Sequence, residues 1–535
     1  MRCAIWIFAA HALLGFLFLT PAYIRPDSVA TYAYIRSMVE DGDLSFFNEW
    51  SAFGMVKNGV TFFSEVTPIG TLTNHWWIGT SMISAPFYVA GLRFADDGSL
   101  FAWASVLFAA AALAIACAFL CGTDTRVGAL STDKSVCATA VIATSLGTPL
   151  FWYTFRFPLG THAAGALSVG LILAALFLED RQSCLSHDRQ TGLSVVHGAA
   201  VGLAAGLAIV TRLQHFVLLP AIVIVGILQR RPRSWWLSAI GAGALPIAAQ
   251  AIAWFAIYGT PFGPVTRGAN LQGVTWMPFQ HIALIDVLFS SYHGLIAWSP
   301  VVAVAIIGWF VAPRRDQQLA FACILMFLGE WIANGTLDRY FWGGMSFGGR
   351  RFVDLAVPFA LGIAWFTERI RTWLAVVIIT PLVAWSVALM VAAHANAISL
   401  ARYVSGSDLA HAVFDGTTWA KAVSTPLHAD ASWRAFVVVA IVGALLIPLR
   451  RLAVVYCAIF VAAVAICAAR TPNAAAEARA RIDVKKSMRV GPLVDERRLL
   501  SDEVDWARAH GDSARVQSTS NEIAAIDRLL AELNR

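Results

Sequence analysis

Apolar runs of about 20 residues, each long enough to cross a bilayer as a helix, recur along the whole chain. They lie at 3–20, 100–121, 135–154, 161–178, 193–211, 214–229, 235–258, 295–312, 318–334, 353–367, 371–393, 433–449 and 452–469. Only 13% of the 535 residues are charged against 58% hydrophobic, whereas an ordinary soluble domain carries about 25% charge. No soluble core hides that much apolar surface behind so few charges, so a soluble enzyme, a disordered chain and a secreted disulfide scaffold are excluded. The sequence predicts an all-α polytopic integral membrane protein of about thirteen transmembrane helices.

The basic residues set its orientation. Arg126/Lys134, Arg181/Arg189, Arg230/Arg231/Arg233, Arg314/Arg315, Arg369/Arg371 and Arg450/Arg451 fall between apolar runs in short bursts. All six bursts share the side of the N-terminus and Arg2, the cytoplasmic side, only if the short stretch His75–Gly91, broken by Pro86, does not cross. That stretch is therefore expected as an amphipathic or re-entrant helix in the outer interface. Met1–Tyr23 reads as an uncleaved first span, since no convincing small-residue cleavage site follows it. The outer face then receives the loop 21–99 and the segments 155–160, 259–294, 335–352 and 394–432. The expected location is the inner (plasma) membrane, with the functional face outside. The net charge of +6 forms no basic stripe, so no nucleic-acid partner is expected.

Residues 1–469 are thus read as the membrane domain and 470–535 as a polar extracytoplasmic tail holding 12 Lys/Arg and 11 Asp/Glu. The tail predicts a helical hairpin. Pro492 opens one helix, with Leu493, Arg497, Leu500 and Val504 on one face and Gly511 at its end, and a Thr519/Glu522 capping box opens a second. Its expected role is docking or assembly. The eight cysteines sit in or beside apolar runs and read as reduced thiols.

Charges crowded at one end of a helical bundle point to a cavity there. The first outer loop opens Arg25-Pro26-Asp27-Ser28 and continues through Tyr32, Arg36 and Glu40-Asp41-Gly42-Asp43. Pro26 and Asp27 are suited to a helix N-terminus, where the dipole keeps a carboxylate ionised. Pro26-Asp27 followed by Tyr32, Ile35-Arg36-Ser37-Met38 and Gly42-Asp43 resembles the first outer loop of the GT-C fold membrane glycosyltransferases, within them the protein O-mannosyltransferase and aminoarabinose-transferase group. Phe63-Ser64-Glu65 with Pro68 resembles that loop's second acidic stretch. The resemblance covers about the first 250 residues in order.

The resemblance implies a polyprenyl-phosphate-linked sugar donor, a glycan, lipid or protein acceptor entering from outside, and an aspartate as general base, here Asp27. The chemistry asks for the same residue types. An acceptor hydroxyl must lose its proton as it attacks the sugar C1, and the departing phosphate needs fixed positive charge. Asp43 and Glu65 are further candidates, each with a loop-capping alternative.

Two departures from the group stand out. Val66 occupies the place of a Lys that follows the second acidic residue in the aminoarabinose branch. His162, at the end of Phe155-Arg156-Phe157-Pro158-Leu159-Gly160-Thr161-His162, stands where the group tends to have an Asp. Phosphate contacts are instead expected from Arg156, Arg212, Arg350 and Arg351, the last two behind Gly343-Gly344 and Gly348-Gly349, which let backbone and guanidinium approach an anion closely. Tyr292 and His293 are candidates for a sugar ring, with an interfacial aromatic belt as the alternative. Asp41, Asp43 and Glu49 can hold a divalent cation or form a solvated acidic loop. Two other classes remain open: a polysaccharide polymerase or ligase that makes no special use of Asp27, and a non-enzymatic flippase or transporter of lipid-linked sugars. The transporter class places its polar residues at the bilayer midplane, whereas here they cluster at one face.

Overall fold

The structure is a computed structural model, and it describes residues 2–19, 26–46, 49–50, 67, 69, 71–92, 99–120, 134–177, 187–263, 279, 282–337, 340–424, 433–449, 452–471 and 482–533. Glu65 and the loop residues Asp338 and Arg339 lie outside them. Every one of the apolar runs coincides with helix. Among the described residues six helices are long and apolar enough to cross a membrane: Leu100–Leu120, Ser194–Thr211, Arg233–Tyr258, Arg314–Thr336, Thr372–His394 and Ala453–Arg470. Shorter apolar helices accompany them, among them Cys3–Phe18, His162–Phe177 and Val301–Phe310.

Helix pairs close on one another where glycine removes the side chain. Gly198, Gly202 and Gly206, one turn apart, run along the His187–Thr211 helix and face the Arg233–Tyr258 helix. A Cβ on Gly202 would stand 1.8 Å from the Ala239 carbonyl oxygen, and one on Gly206 would stand 2.3 Å from that of Gly243. Lipid tails are as apolar as Leu, so such close backbone approach, rather than hydrophobic exclusion, is what holds two membrane helices together.

Contacts between distant segments gather the loops at one end of the bundle. The Ser37 hydroxyl donates to Asp43, the Leu44 amide donates to Thr471 at 2.9 Å, and a Cβ on Gly42 would meet Arg470 at 3.2 Å. Ser291 donates to the Val404 carbonyl, and Arg156 donates to His394 Nδ1 at 2.9 Å. The segments assigned to the outer face therefore meet one another. At the opposite end Arg231 reaches the Leu176 carbonyl and Arg369 the Val311 carbonyl.

Most of the stretch 75–91 is the helix Gly79–Gly91, and it is buried along most of its length. A Cβ on Gly79 would lie 2.5 Å from the backbone of Val210 and Thr211, so this helix is wedged into the bundle, as the re-entrant alternative requires and a surface amphipathic helix does not. The starts of the tail helices differ from expectation. In the tail, the first helix runs Ile482–Ala509 straight through Pro492, and the second runs Ser513–Leu533, with Thr519 buried inside it. Of the expected face Leu500 and Val504 are buried, with Trp506 beside them, whereas Arg497 is exposed and pairs with Asp527 of the second helix; the Leu493 side chain lies outside the described residues. The hairpin rests on the loops of the same end, with the Trp506 ring 5.8 Å from that of Phe341 and His510 Nε2 3.5 Å from Asp286.

Gly202→Leu forces a branched side chain into a gap that has no room for a methyl group. It is expected to cost at least the 1–3 kcal/mol, roughly, of an overpacked core and to lower the melting temperature of the purified protein. Gly241→Leu on the facing helix has nothing within 4 Å of its Cβ and should leave the melting curve in place. Equal effects would remove the glycine seam from the account.

Candidate functional site

Three of the departures from regular helix among the described residues carry arginine or histidine candidates for phosphate contact. A π-helical turn, Trp152–Arg156, leads into Phe157–His162. After Thr211 the chain extends at Arg212 and then winds as the 3-10 turn Leu213–Leu218. A third turn, Arg350–Leu355, precedes the helix Ala356–Arg369. Irregular backbone within an apolar bundle is tolerated where it is buried in protein or lines a cavity, and helical irregularities of this kind concentrate at functional sites.

The three breaks converge on one recess, lined by Trp76, Phe157, Gly160, Thr161, His162, Arg212 and Arg350. Of the candidates, His162, Arg212 and Arg350 are thus brought together. Arg212 is 7% exposed and His162 5% exposed. Trp76 is delivered by the segment before the wedged helix. Asn74 donates to the Ala30 carbonyl at 2.9 Å and accepts from the Trp76 amide at 3.2 Å, while Tyr34 donates to the Trp76 carbonyl at 3.1 Å. These bonds tie the wall of the recess to the helix Pro26–Arg36, whose second residue is Asp27. The helix starts at Pro26 as its fixed φ favours, and the Asp27 side chain lies outside the described residues.

A buried ion pair underlies the recess. Arg212 Nη1 donates to Asp354 Oδ2 at 2.8 Å, and the Asp354 side chain is fully buried. The same oxygen receives His215 Nε2 at 2.8 Å and Gln214 Nε2 at 3.3 Å. Gln214 also accepts from Arg212 at 3.0 Å and donates to the Arg351 carbonyl at 2.8 Å. Space for the carboxylate comes from Gly165, where a Cβ would stand 2.4 Å from Asp354 Oδ1. Arg212 Nη1 further donates to His162 Nδ1 at 3.0 Å. A guanidinium only donates, so Nδ1 is the acceptor and Nε2 carries the ring proton. The recess is therefore furnished with donors.

Asp354 pairs with Arg212, and Arg350 brings a second guanidinium to the lining of the recess. Gly343 has φ of +73°, and a Cβ there would meet Arg350 Nε at 3.1 Å, so the glycine loop does let this guanidinium lie close against the backbone. Arg351 takes another path: its Nη1 donates to Asn334 Oδ1 at 3.3 Å, and Asn334 in turn donates to the carbonyl of the buried Glu330 at 2.7 Å.

The other candidates lie elsewhere. Arg156 is engaged by His394. Asp43 accepts from Ser37 Oγ and the Ser45 amide, both at 3.0 Å, and closes its own turn. Glu49 is buried and pairs with Arg36 at 3.3 Å; burial pushes its carboxyl up to about 8, Asp41 adding to the effect and Arg36 opposing it. Among the described residues no three His, Cys, Asp or Glu side chains form a group that holds a metal ion.

His293 borders a second recess that shares Arg350 with the first and is also lined by Val287, Asn334, Phe341, Trp342 and Arg351, while Tyr292 packs against the His293 ring at 4.7 Å. Tyr292 stacks on Trp342 at 5.1 Å, and burial, then Asp502 of the tail, raises its hydroxyl well above the ordinary tyrosine range. Sequence reasoning offered Asp354 as a partner for Arg350 or Arg351, whereas it pairs with Arg212, and it missed Gln214, His215, Asn334 and Glu330. The signal available for Glu330 was an acid inside an apolar run.

A buried ion pair predicts non-additive mutations. Asp354→Asn leaves Arg212 uncompensated and is expected to cost about 3–5 kcal/mol of stability. The double variant Arg212→Met/Asp354→Asn should lose less than the sum of the singles, by about 0.5–3 kcal/mol. Additive losses in thermal melts would contradict the coupling.

No family model matches the chain, and no curated protein matches it. Among solved structures, the chain is similar to the crystal structure of ArnT from Cupriavidus metallidurans bound to undecaprenyl phosphate, with a TM-score of 0.46 and 14% identity over 94% of this chain and 80% of that one. It is similar to the apo state of the same protein with a TM-score of 0.44, at the same identity and coverage.

Proposed function

We propose that the protein is a membrane glycosyltransferase that moves a sugar from a polyprenyl-phosphate-linked donor to an acceptor hydroxyl on the extracytoplasmic side of the membrane. The observation that carries this reading is the convergence of Arg350, Arg212 and the His162 N–H on one recess at the loop-bearing end of an apolar bundle. Such a set matches a phosphate, and its place at the end of the spans matches a phosphate whose lipid tail stays in the bilayer.

In this reading Arg350 and Arg212 hold the phosphate and stabilise the charge it gains on leaving. The acceptor oxygen attacks the sugar C1, the C1–O bond to the phosphate breaks, and the polyprenyl phosphate departs with that electron pair. Asp27, in the first turn of a helix anchored to the recess wall through Asn74, takes the acceptor's proton. Its position at the helix N-terminus favours the ionised form that a base requires. The six basic bursts, which the sequence assigns to the cytoplasmic side, support an inner-membrane protein with this end outside.

Asp27→Asn keeps the shape of the side chain but cannot accept a proton, and it is expected to lower the transfer rate by roughly 10² to 10⁴ with an unchanged melting curve. Transfer at the parental rate would take the base away from Asp27. Arg350→Ala is expected to weaken binding of undecaprenyl phosphate roughly ten- to a hundredfold, the scale of a lost charge-assisted contact. Titration of the purified variant with that lipid checks it, and an unchanged affinity would remove the recess from the donor site.

A further inference from the structure

His293 is 2% exposed, yet neither ring nitrogen has a hydrogen-bond partner among the described residues. Its backbone is left-handed, with φ of +65°, a conformation that a residue with a Cβ rarely adopts and that concentrates at ligand sites. The ring is fixed between Tyr292 at 4.7 Å and Trp298 at 5.1 Å and lines the second recess beside Arg350, Phe341 and Trp342. Strained backbone therefore holds a polar ring, with both polar atoms unused, against a recess walled by aromatic rings.

The state of the ring decides what it can recognise. Burial first, and the neighbouring Arg350 second, push the imidazole down to about 3, so it is neutral. A neutral imidazole presents one donor and one acceptor. An anion wants donors alone, whereas a hydroxyl both gives and receives, and the carbon faces of a sugar ring pack on Trp and Phe.

We propose that His293 is a specificity-determining residue, and that its recess takes a hydroxyl-bearing edge of the donor's sugar ring. The inference rests on the lipid-phosphate-sugar reading for the identity of the ligand. In such a donor the sugar C1 is bonded to a phosphate oxygen, so ring and phosphate must occupy adjoining sites. The two recesses adjoin at Arg350, which lines both. The phosphate recess offers donors, and the neighbouring one, which Arg350, Arg351 and Asn334 also line, adds the donor and acceptor of His293 beside Phe341 and Trp342.

The test measures binding of two probes to the purified full-length protein: undecaprenyl phosphate, and the same lipid carrying one hexose, with glucose, galactose and mannose each tried. The wild type is expected to bind at least one sugar-bearing lipid more tightly than the bare one. His293→Asn tolerates the left-handed backbone, but its shorter amide withdraws from the recess. It should weaken the preferred sugar-bearing lipid roughly tenfold, the scale of one lost hydrogen bond, and leave the bare lipid within about twofold. His293→Gln, which restores reach with one donor and one acceptor, should recover part of the loss. Equal weakening of both lipids by His293→Asn, or no weakening of either, overturns the proposal while leaving the donor reading intact. So does a wild type that prefers no sugar-bearing lipid. Failure of the wild type to bind any of these lipids overturns the donor reading itself, and this inference with it.

Discussion

The buried pair between Arg212 and Asp354 is the interaction on which the rest of the site depends. It joins the end of one apolar helix to the turn before another, and Gly165 on a third helix leaves room for its carboxylate. Two charges taken out of water are expensive unless their remaining bonds are made. Here His215 and Gln214 complete the carboxylate, and His162 accepts from the guanidinium. The tautomer of His162 follows from that arrangement, and Gln214, which donates to both Asp354 and the Arg351 carbonyl, ties the turn Arg350–Leu355 to it.

That pair also explains why helices break where they do. A continuous helix through residues 211–219 would spend every backbone group on itself. The extended Arg212 and the 3-10 turn after it turn His215 back to donate from Nε2 to Asp354 while its Nδ1 bonds the Ala208 carbonyl at 2.7 Å. The glycine-rich stretch before Arg350 does the equivalent work on the facing side, with left-handed Gly343, Gly344 and Gly348 bringing the loop down onto the bundle. Rigid helix pairs, closed by the Gly198–Gly202–Gly206 seam, form the frame, and the breaks carry the chemistry.

The apolar frame was legible in the sequence because the length of an apolar run reports directly on lipid. The start of the helix at Pro26 and the glycine loop before Arg350 were legible for a similar reason, since each needs a residue type with a special backbone. Asp354 and Glu330 were harder to see. They lie at the edge of or inside apolar runs, and what gives them meaning is the partner supplied from another helix. Asp43, Arg156 and Arg351 look like site residues by charge alone, but their own neighbours, Ser37, His394 and Asn334, engage them. The stretch 75–91 was expected as an amphipathic or re-entrant helix because only a segment that does not cross leaves all six basic bursts on one side. Its burial comes from Gly79 packing on the backbone of Val210 and Thr211, a contact that only the folded chain creates.

The central claim is that one recess holds a lipid-linked phosphate. The most direct measurement is an experimental structure of the full-length protein in a lipid nanodisc with undecaprenyl phosphate. The account predicts the phosphorus atom within bonding reach of Arg350, Arg212 and His162 Nε2, with the lipid tail leaving toward the bilayer. A phosphate bound away from these three side chains, with the recess unchanged, would contradict it.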